Sequence, residues 1–505
     1  MKLSAFDLRS NSAAPRALLA GFVCVYLIVG AITLTNGHAW GDDWAQYVLH
    51  AKNLISGREY AATGYLFNPD VPNVGPPSYP PGLSLLLSPL ILLFGVNIVA
   101  LKATCFVCIL LALVFFFLGL EGIFGRFISL FSIVIFAAHP AVWQWRQLIQ
   151  SEAPYLLFSA ILLWYSGKDA ERDVLSKYAF GSNLLIGVFL YFSVISRSIG
   201  ITLLPALVIF GWAQGRKIRW FCSWIAVFVV LVWLQSRWLV KPTTYENELK
   251  LPTIDLIISN AKGYLYALGA ELFPLPQGLS WISSTVIVTL TILGGRSLYL
   301  KQKKLKAEQS TLRSVVSCFP MILWYVFAYM SALILAAIEP NSRYLIPILP
   351  ILISLALTGA VSLRRFISKN YSFILTMGVI LYFCSLHFRS SPGEANATCT
   401  ACTEMFNYVN AQSDRDAVIV FMKPRAMALL GNRKSWRPSE KYTREELLRH
   451  MNTLGATWVV AGADGSTFSD RYPMPRTLHD LSHESGSEVV FKNSEFEVIR
   501  LTQKP

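Results

Sequence analysis

The sequence predicts a polytopic α-helical membrane protein that ends in a small soluble α/β domain. Three observations carry that reading. Apolar residues make up 54% of the 505-residue chain and charged residues only 15%, against about 25% in soluble globular domains. The apolar residues gather in long runs instead of recurring at helical or strand periods. From His387 onward the composition turns polar.

Eleven spans are expected, at 17–35, 98–120, 127–143, 153–166, 182–195, 199–212, 220–240, 281–293, 315–338, 344–363 and 371–386. The shorter ones must extend into their flanks to reach the ~20 residues that cross a bilayer. The first run has no small-residue cleavage site and more runs follow it, so it is not a signal peptide. "PPGLSLLLSPLILLFG" at 80–95 is set apart. It is short for a span and Pro89 interrupts it, which suits a helix lying in the membrane plane.

Charge parity agrees. With 80–95 lying flat, the basic loops all fall on one side. They are the amino terminus (Lys2, Arg9, Arg16), "QGRKIR", "KQKKLK" and "RRFISK". The net charge of +14 is then a topological signal and not a nucleic-acid footprint. The amino terminus is expected to be cytoplasmic and the carboxyl terminus outside. A membrane module of residues 1–387 would carry a first external loop at 36–98, followed by an extracytoplasmic α/β domain at 388–505. The loop at 241–280, with "YENELKLPTIDLIISNAKGYLYALG", mixes polar and apolar residues as a surface-lying helix would.

In the tail, "DAVIVF" reads as a strand. "TREELLRHMNTLG" is a helix with a Thr cap, first-turn Glu and terminal Gly, "ATWVVAG" is a second strand, and "SEVVFKN" with "SEFEVIRL" forms a hairpin. Six of the eight cysteines lie in or beside apolar runs, where a thiol is a small hydrophobe. Cys399 and Cys402 form an isolated CxxC, which favours a local disulfide on the oxidising side over zinc.

The polar residues expected at the outer face carry the chemistry. Asp42 and Asp43 are adjacent at the lip of the first span. A helix cap explains one aspartate, but two like charges at a low-dielectric boundary repel and resist desolvation. Glu152 opens the fourth span, where the helix dipole alone would favour an acid. Arg197 sits between two spans with almost no loop, and there it must snorkel or find a counter-ion. A guanidinium suits phosphate oxygens. Arg343 and Tyr344 stand at the mouth of the tenth span, and Tyr79 leads into the in-plane helix. Asp42, Asp43 and Glu152 could offer hard oxygen ligands to Mg²⁺ or Mn²⁺, with His50 and His139 on the same face. No HExxH or similar spacing fixes a zinc site.

These motifs, in this order, resemble the GT-C superfamily of membrane glycosyltransferases. The branch they resemble most holds the protein O-mannosyltransferases and the lipid A aminoarabinose transferase, with their many bacterial relatives. The resemblance runs over "DDWAQYVLHAKNLISG", "YPPGLSLLLSPL", "SEAPYLLF", "SRSIGITLLPAL" and "RYLIPILP", from the first span to about Leu386. It implies a GT-C-like fold of about 11 transmembrane helices in a bacterial inner membrane. It further implies inverting transfer of a sugar (hexosyl or pentosyl) from a polyprenyl phosphate donor to a glycolipid, polysaccharide or protein acceptor.

In that reading Asp42, Asp43 and Glu152 are catalytic, one aspartate being the general base. Arg197 and Arg343 bind the donor phosphate, and Tyr47, Tyr79 and Tyr344 bind substrate. A divalent cation is optional. The chain departs from the family in having Asp-Asp where many members have Asp-Glu. It also has Ser78-Tyr79-Pro80 where the lipid A branch has Glu-Lys-Pro, which argues against that donor. The rival is a polyprenyl-linked lipid transporter or flippase without transferase chemistry. That class predicts inverted repeats and broken helices at the midplane, whereas the polar residues here concentrate at one face.

Overall fold

The computed structural model describes residues 13–171, 179–238, 252–272, 280–307, 319–336, 340–363, 396–482, 484 and 487–501. The expected span at 371–386 lies outside the described residues. The membrane part runs α1 (Ala14–Ile32), α2 (Asp43–Ser56), strand β1 (Tyr65–Leu66), α3 (Gly82–Phe94), α4 (Ile98–Phe124), α5 (Arg126–Ala137), α6 (Pro140–Trp145) and α7 (Glu152–Glu171). It continues with α8 (Ala179–Ser196), α9 (Leu203–Ala213), α10 (Ile218–Trp238), α11 (Ile254–Leu272), α12 (Ser280–Ala307), α13 (Phe319–Leu335) and α14 (Leu349–Ser362).

Among the described residues, five helical segments are long and apolar enough to cross a membrane: Ala14–Ile32, Ile98–Phe124, Ile218–Arg237, Ser280–Lys303 and Ser342–Ser362. Large apolar side chains stay exposed along them, such as Val25, Ile28, Val229 and Ile292. A protein in water would not leave such a surface uncovered, and here it faces lipid. The chain is an integral membrane protein.

One expectation is corrected. The run at 127–143 is not one helix, because Pro140 lacks the N–H that would continue it. His139 caps a new short helix there, its Nδ1 accepting from the Ala141 N–H at 3.2 Å. The described part of the loop at 241–280 forms α11, packed against α12 and α13, while Ile254, Ile258 and Leu265 stay exposed. Asn260 donates from Nδ2 to the carbonyls of Ile334 and Ala336, at 3.1 and 2.8 Å, and so satisfies the open end of α13.

The tail contains α15 (Thr400–Gln412), β2 (Val418–Phe421), β3 (Lys434–Trp436), α16 (Arg444–Leu454), β4 (Ala456–Gly462), β5 (Ser487–Lys492) and β6 (Phe496–Leu501). The capping box on α16 is complete, with Thr443 and Glu446 exchanging hydrogen bonds. Cys399 and Cys402 form a disulfide at the start of α15.

The sheet order is β1-β3-β2-β4-β6-β5, parallel from β1 to β4 and antiparallel at β4-β6-β5. Its edge strand β1 belongs to the first loop, not to the tail. The same loop sends Trp40 into the tail's core, where it is 2% exposed and meets Phe468 edge-on at 4.9 Å, with Phe406, Phe421 and Phe496 around it. The His38 carbonyl accepts from the Ala397 N–H at 2.8 Å, and Tyr442 donates to Asp70 at 2.6 Å. First loop and tail therefore share one core, and the acidic pair lies two residues beyond Trp40.

Candidate active site

Asp42 and Asp43 part company at the start of α2. Asp42 turns towards the tail. Its Oδ1 accepts from the Ala426 N–H at 3.0 Å and its Oδ2 from the Arg425 N–H at 3.2 Å. Both oxygens thus cap the helical turn Pro424–Ala426 that follows β2, and they meet open backbone donors there. Burial pushes the Asp42 carboxyl above its ordinary value, against the pull of Arg425 and Lys423.

Asp43 faces the other way, its side chain 44% exposed. Its Oδ1 accepts from the Tyr79 hydroxyl at 2.7 Å and pairs with Arg425 Nη1 at 3.1 Å. Its Oδ2 lies 3.6 Å from Arg343 Nη2. Glu152, the first residue of α7, is 2% exposed and pairs through Oε1 with Arg343 Nε at 3.0 Å and Arg197 Nη1 at 2.5 Å. Arg197 stands between the end of α8 and a 3-10 turn at Ser198–Thr202, and it also donates to Ser151 Oγ at 3.4 Å.

The result is one row of alternating charge: Arg425, Asp43, Arg343, Glu152, Arg197. With Asp42 and Lys423 beside it, four cations meet three carboxylates. The site carries a net positive charge, and two of its cations, Arg343 and Arg197, reach solvent. An anion is its natural guest.

Local packing fixes these positions. Gly82 lets α3 start against the backbone of Ile195 and Ser196, where an added Cβ would come within 2.8 Å. This close approach brings the Tyr79–Gly82 turn beside Arg197. Tyr79 is held by its N–H, which donates to His50 Nε2 at 3.2 Å, and its ring stacks on Tyr47 at 5.0 Å. Since Nε2 accepts, His50 carries its proton on Nδ1 and donates to the Tyr60 carbonyl at 2.8 Å. Burial lowers the His50 pKa to about 4, so the ring is neutral. Burial, and then Asp43, push the Tyr79 hydroxyl above its ordinary value, which keeps it a donor. Tyr344 lies beneath both Arg197 and Arg343, at 5.7 and 5.5 Å from its ring centre.

The expected residues Asp43, Glu152, Arg197, Arg343, Tyr79 and Tyr344 are thus brought together. Tyr47, 6% exposed, lies behind Tyr79. His50 and His139 are engaged in backbone hydrogen bonds.

The donor set does not fit a divalent cation. Both Asp42 oxygens hold backbone N–H groups, and the Arg343 guanidinium already bridges Asp43 and Glu152, where a metal would have to sit. Among the described residues no group of three His, Cys, Asp or Glu side chains could hold a metal ion.

Arg425 and Lys423 were not expected. Arg425 is fully buried and reaches the site from the carboxyl end of β2, the edge at which open α/β sheets bind ligands. The sequence signal is a Lys-Pro-Arg one residue past the end of a strand.

Residues 78–239 match the dolichyl-phosphate-mannose-protein mannosyltransferase family. No curated protein matches the chain. Among the solved structures similar in fold are those of three enzymes. The oligosaccharyltransferase AglB from Archaeoglobus fulgidus, in complex with an inhibitory peptide and a dolichol-phosphate, is 11% identical with a TM-score of 0.55, covering 87% of this chain and 69% of its own. ArnT from Cupriavidus metallidurans, bound to undecaprenyl phosphate, is 11% identical with a TM-score of 0.53 and covers 97% and 98%. The mycobacterial arabinofuranosyltransferase AftD is 13% identical with a TM-score of 0.54 and covers 97% and 40%. A second structure of the archaeal enzyme contains Zn and sulfate.

Proposed function

With the fold of the GT-C glycosyltransferase superfamily as premise, we propose that this membrane protein transfers a sugar from a polyprenyl phosphate donor to a hydroxyl of a lipid, glycan or protein acceptor. Transfer occurs on the extracytoplasmic face with inversion at the anomeric carbon. The observation that carries the reading is the alternating row of charge, in which one half-exposed carboxylate stands beside two solvent-reaching guanidiniums.

The reaction follows from that row. The acceptor oxygen forms a bond to the anomeric carbon as the bond from that carbon to the phosphate oxygen breaks. The electron pair leaves with the polyprenyl phosphate. A phosphate is already a good leaving group, so charge stabilisation suffices and no strong acid is needed. Arg343 and Arg197 supply that stabilisation through paired N–H donors. Glu152 keeps both guanidiniums in place between turnovers.

The acceptor's proton goes to Asp43. Its Oδ1 is tethered by Tyr79 and Arg425, which leaves Oδ2 as the accepting atom. Asp42 has no free oxygen for that task and acts as the tether of the tail. Tyr344 offers a face beneath the phosphate arginines, and Tyr79 orients the base. No step is routed through a metal. The catalytic unit in this reading takes in the first loop, the membrane helices and the tail.

The test uses the full-length protein in nanodiscs with a panel of synthetic polyprenyl-phosphate hexoses and pentoses and a membrane extract as acceptor. Release of polyprenyl phosphate is measured. Asp43→Asn should lower the rate by roughly 10²-fold or more, as for loss of a general base, and Asp42→Asn by much less. Wild-type turnover in Asp43→Asn overturns the assignment.

A further inference from the structure

Arg425 lies in the C-terminal tail, yet its guanidinium is the innermost part of the site. The side chain is 0% exposed. Nη1 donates to the Tyr79 hydroxyl at 2.7 Å and pairs with Asp43 Oδ1 at 3.1 Å, while Nη2 donates to the Pro76 carbonyl at 3.0 Å. The rings of Tyr65 and Tyr79 flank it, each 4.8 Å from the guanidinium carbon. Its Nε is buried without a hydrogen-bond partner. Gly75, at φ +92°, makes the room: an added Cβ there would come within 2.6 Å of the Tyr79 hydroxyl and 2.8 Å of Arg425 Nη2.

A buried guanidinium is costly unless its geometry earns it back. Holding the tail does not require this one. Trp40 in the tail's core, the β1–β3 pairing, the Asp42 cap and the Tyr442–Asp70 bond already fasten tail to loop. What Arg425 does alone, with Tyr79, is grip a single oxygen of Asp43. A carboxylate at the first position of a helix otherwise turns freely about its terminal torsion. Gripped at Oδ1, it presents Oδ2 to Arg343 and the open side of the site.

We propose that Arg425 is a positioning residue for the transfer reaction: delivered from the C-terminal sheet, it fixes the orientation of the Asp43 carboxylate and makes turnover depend on the docked tail. The proposal rests on the reading of Asp43 as the base. Lysine cannot substitute, because a point ammonium cannot serve Asp43, Tyr79 and Pro76 from one plane.

The test uses the full chain in nanodiscs and three variants: Arg425→Lys, Arg425→Ala and Tyr79→Phe. The first readout is the frequency of the infrared carboxylate band that Asp43→Asn abolishes. It needs no substrate. Removing the Nη1 donor should shift the frequency of that band in Arg425→Ala, and removing the hydroxyl should shift it in Tyr79→Phe, since each takes a hydrogen bond from Oδ1. The second readout is turnover of whichever donor of the panel is active. The maximal rate should fall about 10-fold or more in both Arg425 variants, with the donor KM little changed.

Tyr79→Phe keeps every charge, so it remains informative if Arg425→Ala fails to fold. An Asp43 band at its wild-type frequency in all three variants, with losses confined to thermal stability, overturns the positioning role. Wild-type turnover in Asp43→Asn, with the band displaced as expected, overturns the assignment of the base and leaves the coupling of Arg425 to Asp43 standing.

Discussion

Glu152→Gln is a perturbation whose cost can be worked from the geometry. Glu152 is 2% exposed and holds Arg197 at 2.5 Å and Arg343 at 3.0 Å. Glutamine has nearly the same shape, so no cavity opens and the loss is electrostatic. Arg197, only 19% exposed, is left beside an uncharged amide. Removing one partner of a buried pair costs about 3–5 kcal/mol, because the other charge stays buried and uncompensated. Arg343 is 40% exposed and screened by water, so its pair adds at most about 1 kcal/mol.

The expected loss in a denaturant titration of the nanodisc protein is therefore about 3–5 kcal/mol. Two further results separate this account from a packing defect. The double variant Glu152→Gln/Arg197→Met should recover most of the loss, since no buried charge then stands alone. Added polyprenyl phosphate should stabilise Glu152→Gln more than wild type, since a phosphate replaces the missing anion. A double variant as unstable as the single one refutes the reasoning.

Arg197→Lys keeps the charge but loses the paired donors, so donor KM should rise and rise further in Arg197→Ala, with folding less affected; unchanged KM in both would leave Arg343 as the phosphate ligand. His50 is neutral in the fold, with a pKa lowered to about 4 by burial. In the unfolded chain it titrates near 6.5, so between those values the unfolded state binds the extra proton and stability falls as pH falls, by up to about 3 kcal/mol. His50→Gln should flatten that slope in acid-unfolding curves, and an unchanged slope would refute the assignment. A reporter fused after Pro505 should be active only outside the cytoplasm, by the loop charge asymmetry; activity confined to the cytoplasm would reverse the topology.

Local signals in the sequence reach far along this chain. The apolar runs announce the membrane helices, and Thr443 with Glu446 announces α16 to the residue. "ATWVVAG" is β4. Asp43, Glu152, Arg197 and Arg343 each stand out locally because each is a charge at the end of an apolar run. Where the local signal ends, so does the reading. Nothing in "GDDW" distinguishes Asp42 from Asp43, because the donors that claim Asp42 lie at Arg425 and Ala426. Nothing local marks Trp40, since its four phenylalanine neighbours lie in the tail. On the helix at Ile254–Leu272, Asn260 is taken up by the carbonyls that end α13, a contact nothing local announces.

The charges that were hardest to read are also those that decide how the site works. A lone acidic pair at a membrane lip would have one aspartate too many. The tail resolves the excess by taking one carboxylate for its own helical turn and matching the other with a buried arginine. It adds Lys423 and Arg425 to Arg197 and Arg343, which turns an acidic lip into a site with one more cation than carboxylates. Without the tail, three carboxylates would face two arginines and repel a phosphate. With it, the unmatched charge waits at the solvent-reaching end of the row, at Arg343 and Arg197, on the side of Asp43 where Oδ2 stands 3.6 Å from Arg343.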